Sequence, residues 1–227
     1  ATFIISFFTG KLLRLKDASF GVFLTGTLIM NTNFLIPFFI AAYGEEGLAR
    51  ALLFDIGNSF LAFTFVYFLA CSYGAHDSNA KALMKKVLLS PPLWALIVSI
   101  LLNLTDVRIP ALLNNFLQML GNITIPLIML SLGIYFNPRI TALLPLCSAI
   151  VIRMFLGLSL GLLFVTWFKL DGLTKSVVLI SAAAPVGYNT LTFASLEELD
   201  KEFAASIVSV SLLIGIIFIP FLIGWLV

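Results

Sequence analysis

Polar chemistry appears in this sequence where it is costly. The stretch IMNTNFLIPF at 29–38 sets Asn31, Asn33 and Pro37 inside an apolar run. The stretch APVGYNTLTF at 184–193 repeats the combination with Pro185, Tyr188 and Asn189. Asp55 and Arg153 are ionisable residues inside further apolar runs, and Asn58 follows Asp55 by one helical turn. Side-chain amides both donate and accept hydrogen bonds. A proline within a helix removes one N–H and disturbs the carbonyl four residues earlier, here that of Asn33. Such groups suit the holding of a small polar solute. Covalent chemistry has no matching set: the sequence lacks HExxH, a GxGD-type aspartate pair, a P-loop and a dinucleotide fingerprint, which argues against an enzyme or an ATP-driven pump. No cofactor is expected. Cys71 and Cys147 lack metal-ligand spacing and read as packing residues, and His76 stands alone in a polar stretch.

The elements that must position these residues are membrane helices. Of 227 residues, 61% are hydrophobic and 11% charged, where an ordinary globular chain is roughly a quarter charged. The net charge of +2 is too small to suggest a nucleic-acid partner. Apolar runs alternate with short polar breaks, at approximately 1–12, 18–43, 47–73, 91–105, 109–136, 140–168, 173–196 and 203–227. Most reach the roughly 20 helical residues that cross a hydrocarbon core. The first run reads as the second half of a helix. The expected fold is therefore an all-α integral membrane protein.

Taking the breaks alternately, one side holds Lys11, Arg14, Lys16, Lys81, Lys85, Lys86, Arg139 and Lys201; the other holds Arg50, Arg108, Lys169 and Lys175. The excess of basic residues places the first side in the cytoplasm and the C-terminus outside. Residues 11–70 and 166–224 share a plan: a charged turn, an apolar run with polar residues halfway, an acidic turn, and another apolar run. By the helix count the two copies enter the membrane from opposite sides. Inverted repeats with helices interrupted near the midplane characterise secondary transporters. Broken backbone at that depth persists only where protein or a wet cavity surrounds it. If the two interrupted helices cross, the amides meet at the bilayer centre, and half-helix N-termini there favour an anion. The competing reading is that the prolines only kink helices and the amides cap freed carbonyls. Asn122 with Pro126 forms a third polar break. Asp55 reads either as a proton or cation site coupled to transport or as a structural carboxylate, and Arg153 as its partner, as an attractor of the anion, or as a side chain that snorkels.

Several further pieces recur in order: Y-G-E-E-G-L-A-R-A at 43–51, L-F-D-x-x-N at 53–58, S-P-P-L-W-A at 90–95, G-N-x-x-x-P at 121–126 and S-L-G at 131–133. With N-T-N-F-x-x-P at 31–37 and A-A-A-P followed by Asn189, the sequence resembles the auxin efflux carriers, the PIN-like family of the bile acid–sodium symporter superfamily. The resemblance implies two inverted five-helix repeats with two interrupted crossing helices, of which about eight of ten helices lie in this sequence. Residues 1–73 would be three helices of the first repeat, 74–90 a cytoplasmic loop, and 91–227 the five helices of the second. It implies a carrier of a small organic anion working by alternating access: a carboxylate such as malate or malonate, or an auxin-like acid such as indole-3-acetic acid. Asn31, Asn33 and Pro37 would belong to one crossing helix and Pro185 and Asn189 to the other, lining the site; Tyr188 and Asn122, from the polar breaks themselves, are further candidates for its wall. Coupling to a proton or sodium, through Asp55, Asn58 and Arg153, a homodimer and a bacterial inner membrane are further expectations. A non-transporting sensor or scaffold on the same fold is the alternative. One departure is Ile36, where the family often has glycine before the proline.

Overall fold

The computed structural model describes residues 1–74, 84, 85, 87–105, 107, 109–135 and 142–226. Most of the expected loop at 74–90, with His76, Lys81 and Lys86, lies outside the described residues, as do Arg108 and Arg139. The helices are α1 (Thr2–Leu12), α2 (Asp17–Leu28), α3 (Thr32–Leu61), α4 (Tyr67–Tyr73), α5 (Pro91–Leu104), α6 (Ala111–Tyr135), α7 (Leu143–Ile150), α8 (Gly157–Phe168), α9 (Gly172–Ala182), α10 (Asn189–Leu196) and α11 (Lys201–Leu226). A π-helical turn at Ala62–Val66 joins α3 to α4, and another at Val151–Leu156 joins α7 to α8. Among the described residues, three continuous stretches are long and apolar enough to cross a membrane: Thr32–Tyr73, Leu143–Phe168 and Lys201–Leu226. The first is divided at Gly44, whose φ of 62° and ψ of −155° fit only glycine.

Local sequence sets the helix ends. Pro91 and Pro92 open α5, where a missing N–H costs nothing. Asp200 Oδ1 accepts the N–H of Phe203 at 3.0 Å and caps α11. Its other oxygen accepts from the Ser19 hydroxyl at 2.7 Å, tying the start of α2 to the start of α11. Helix α2 is the centre of the molecule, with every residue from Phe20 to Thr27 buried. A helix without a polar face belongs inside. Around it, Val22 and Phe23 pack in one cluster with Tyr67, Met154, Phe193 and Ile207. A second cluster joins Leu35 and Phe39 of α3 to Ile180 of α9 and Ile219 of α11. The outer surfaces carry exposed Leu112, Phe116, Ile123 and Ile134 on α6 and Ile216, Ile217 and Phe221 on α11.

The expected runs at 18–43 and 173–196 are each two helices with an extended break between them. The breaks cross. Met30 and Val186 pair as an isolated antiparallel bridge. The N–H of Asn31 donates to the Pro185 carbonyl at 3.0 Å, and that of Gly187 to the Ile29 carbonyl at 2.9 Å. Gly187 makes the approach possible, since a Cβ there would lie 2.4 Å from Ile29 Cγ2. The Ser211 hydroxyl accepts the Val186 N–H at 3.2 Å and donates to the Val208 carbonyl at 2.9 Å, fastening the crossing to α11.

The first interruption is not at Pro37. It lies upstream at Ile29–Asn31, and Pro37 sits inside α3 on an exposed face. A proline costs a helix one hydrogen bond, which α3 absorbs. The break is fixed instead by backbone pairing with the second break, and Asn31 restarts the helix by accepting the Phe34 N–H on its side-chain oxygen at 3.1 Å. In the second run, Pro185 does lie within the break.

Candidate functional site

Beside the crossing, the starts of α3 and α10 line a cavity of about 180 Å³. Its wall includes Asn31, Thr32, Asn33, Asp55, Asn58, Ser59, Tyr188 and Asn189, with Met30 and Phe63 as apolar members. Six of the residues expected from sequence are therefore together. The hydrogen bonds separate them into two kinds. Asn31 is committed to the scaffold: besides capping α3, its amide nitrogen donates to the Val186 carbonyl at 3.4 Å. Asn58 is committed as well, accepting the Met30 N–H at 3.3 Å and donating to Asp55 Oδ1 at 2.8 Å. Among the described residues, the side chains of Asn33 and Asn189 make no hydrogen bond to the protein. These two amides, half-exposed in the cavity wall, are available to a solute.

Asp55 accepts from three neighbours: the Thr32 hydroxyl, Asn58 Nδ2 at 2.8 Å and the Ser59 hydroxyl at 3.1 Å. Thr32 is the first residue of α3, so the carboxylate sits against the positive end of a helix. Arg153 does the converse. It is 5% exposed, in the π-helical turn, and its Nη2 donates at 3.2 Å to the carbonyl of Ala182, the last residue of α9. Each intramembrane charge is matched to a helix end, and the two do not pair; Arg50–Glu46 at 2.5 Å is the ion pair among the described residues. Arg153 borders a different cavity, of about 310 Å³, with Phe54, Gly157 and Ala182; Met30 is common to both. Asn122 is exposed on α6 and outside the cavity, and Pro37 is outside it too. Pro185 acts through its carbonyl at the crossing.

A third and larger cavity, about 530 Å³, adjoins the polar one and shares Phe63 and Asn189 with it. Its walls are mostly apolar: Tyr67, Leu89, Pro91, Phe193 and Leu196, with Ser90 and Thr192. The rings of Tyr67 and Phe193 lie 5.1 Å apart and those of Phe63 and Phe193 6.3 Å apart, so one side is an aromatic wall. Behind it, buried Glu197 accepts from the Tyr67 hydroxyl at 3.0 Å. Sequence reasoning missed Thr32, Ser59, Phe63, Tyr67 and Glu197. Ser59 stands one helical turn after Asp55 and Thr32 between the two asparagines, and both spacings carried the signal.

Residues 1–223 match the family described as Membrane transport protein. The chain belongs to that family. This is the auxin efflux carrier group to which the motifs pointed. The chain is an integral membrane protein of a transporter family. It is 29% identical over 230 residues to an uncharacterized transporter of Methanocaldococcus jannaschii, covering 98% of this chain and 74% of that protein. It is 27% identical over 197 residues to an uncharacterized transporter of Methanothermobacter thermautotrophicus, covering 85% of this chain and 63% of that one. The chain thus spans about three quarters of the first relative and under two thirds of the second.

Proposed function

We propose that this family member carries an organic anion, and that the anion is a carboxylate with an apolar body. The observation that carries the reading is the junction of two unlike cavities at the crossing. On one side stand the amides of Asn33 and Asn189, unbonded among the described residues, and the start of α10, whose N-cap residue Tyr188 offers no side-chain cap. An N-terminus of this kind attracts negative charge. On the other side, across Phe63 and Asn189, lies the aromatic-walled chamber of about 530 Å³. A dicarboxylate such as malate or malonate would leave that chamber unused, and its second charge would face Asp55. An acid of the auxin type fits both halves: carboxylate at Asn33 and Asn189, ring against Phe63, Tyr67 and Phe193.

The mechanism we infer is alternating access in an inverted-repeat fold, with the crossing as the fixed point. The bundle around α2 moves against α5 and α6. The Lys11–Lys16 end faces the cytoplasm and the C-terminus faces outside, as the distribution of basic residues suggests. Asp55, with hydroxyls of Thr32 and Ser59 on it, is the place where a proton or a sodium ion would enter to offset the incoming negative charge. The test is uptake into proteoliposomes by the complete protein, with labelled indole-3-acetate and labelled malonate in parallel. Uptake of the aromatic acid supports the reading. Uptake of malonate alone refutes the chamber's role, and transport of neither refutes the anion assignment.

A further inference from the structure

We infer that Arg153 is a positioning residue for the anion site: it acts by gripping the end of α9 and thereby holding the crossing in register. The inference rests on the proposed anion site, but its structural half can be tested without any ligand.

The argument begins with the place of the charge. Arg153 lies inside the apolar span Leu143–Phe168 and is buried. A guanidinium there is retained only where it has a definite partner. Its partner is the carbonyl of Ala182, at 3.2 Å from Nη2, and Ala182 ends α9. The last carbonyls of a helix lack intrahelical donors and carry partial negative charge, so a buried cation satisfies both the hydrogen bond and the dipole. Among the described residues the Arg153 Nε has no partner, which leaves the Ala182 carbonyl as the described hydrogen-bond acceptor for this side chain.

Next comes what Ala182 controls. Three residues further on, the Pro185 carbonyl accepts the Asn31 N–H, and the Val186 carbonyl accepts the Asn31 side chain. Gly187 then pairs with Ile29, and Asn189 follows in the cavity wall. The grip on Ala182 is therefore upstream of both amides that line the site: Asn33 through Asn31, and Asn189 through the chain itself. Neither amide is reached by Arg153 directly.

Two local features serve this contact. The π-helical turn at Val151–Leu156 inserts extra backbone where Arg153 sits, a device that re-aims side chains and recurs at functional positions. Gly157, the residue after that turn, admits the end of α9: a Cβ there would lie 2.4 Å from the Ala182 carbonyl oxygen and 3.5 Å from Arg153 Nη1. Gly157→Ala thus displaces the same carbonyl without removing the charge.

The experiment uses the complete protein in nanodiscs, with hydrogen exchange at the Asn31 and Gly187 amides and equilibrium binding of indole-3-acetate. Arg153→Met is expected to speed exchange at both amides and to weaken binding on the order of tenfold, since displaced donors lose hydrogen-bond geometry. Gly157→Ala should reproduce both effects. Arg153→Lys, which keeps the charge and a donor, should recover most of each. Weakened binding in Arg153→Met with unchanged exchange at Asn31 and Gly187 would make Arg153 a direct ligand and overturn the inference. Unchanged exchange and binding in both Arg153→Met and Gly157→Ala would overturn it as well. If wild-type protein binds no indole-3-acetate, the proposed function fails while the exchange comparison still decides whether Arg153 holds the crossing.

Discussion

Asn189→Ala should cost affinity and almost no stability. The side chain lies at the junction of the polar cavity and the aromatic chamber, and it makes no hydrogen bond to the protein among the described residues. Its removal therefore orphans no internal partner, and alanine is a better helix former at the first position of α10. The amide is expected to meet a carboxylate. A hydrogen bond to a charged group contributes roughly 1.5–3 kcal/mol, and each 1.4 kcal/mol is about tenfold in Kd. The dissociation constant for indole-3-acetate should thus rise by roughly 10- to 150-fold. The assay pairs calorimetric titration of purified protein in nanodiscs with a thermal unfolding scan. A wild-type Kd, or a fall in unfolding temperature without loss of affinity, would refute the assignment of this amide to the solute.

Asn31→Ala should do the reverse, because it removes a helix cap worth about 1 kcal/mol and a bond across the crossing; a lowered unfolding temperature in the apo protein checks it. Asp55→Asn preserves shape while removing the charge that Thr32, Asn58 and Ser59 surround; it should bind the acid yet lose the response of uptake to an imposed proton or sodium gradient, measured in proteoliposomes. Cysteines at Lys85 and Lys169 should label from opposite faces of sealed vesicles, and labelling from one face would remove the inverted topology.

Much of this site was legible because polar groups in hydrocarbon are expensive and so are placed for a reason. Asn31, Asn33, Tyr188 and Asn189 were found that way, and the structure puts them around one cavity. Their division of labour was not legible. Whether an asparagine caps a helix or faces a solute depends on hydrogen bonds to residues such as Val186, far along the chain. Pro37 misled for the same reason: the break it seemed to mark is fixed by long-range backbone pairing at Ile29–Asn31. Asn122 with Pro126 has the same composition as the crossing helices but lies exposed on α6. The spacings of Thr32 and Ser59 carried a signal, but a weak one, because hydroxyls in helices often bond their own backbone. The contact between Asp55 and Arg153 was a natural guess from opposite charge, yet each charge is answered by a helix terminus.

The crossing also imposes a schedule on synthesis. The side chain of Asn31 waits for the carbonyl of Val186, which lies 155 residues later. At 5–20 residues per second, the ribosome needs roughly 8–30 seconds to supply the second break after the first has emerged. During that interval the Ile29 carbonyl and the Asn31 N–H lack their partners across the crossing, and bare backbone groups in lipid are costly. The early helices must therefore pause beside water or the insertion machinery, and the pause ends when Pro185, Val186 and Gly187 arrive.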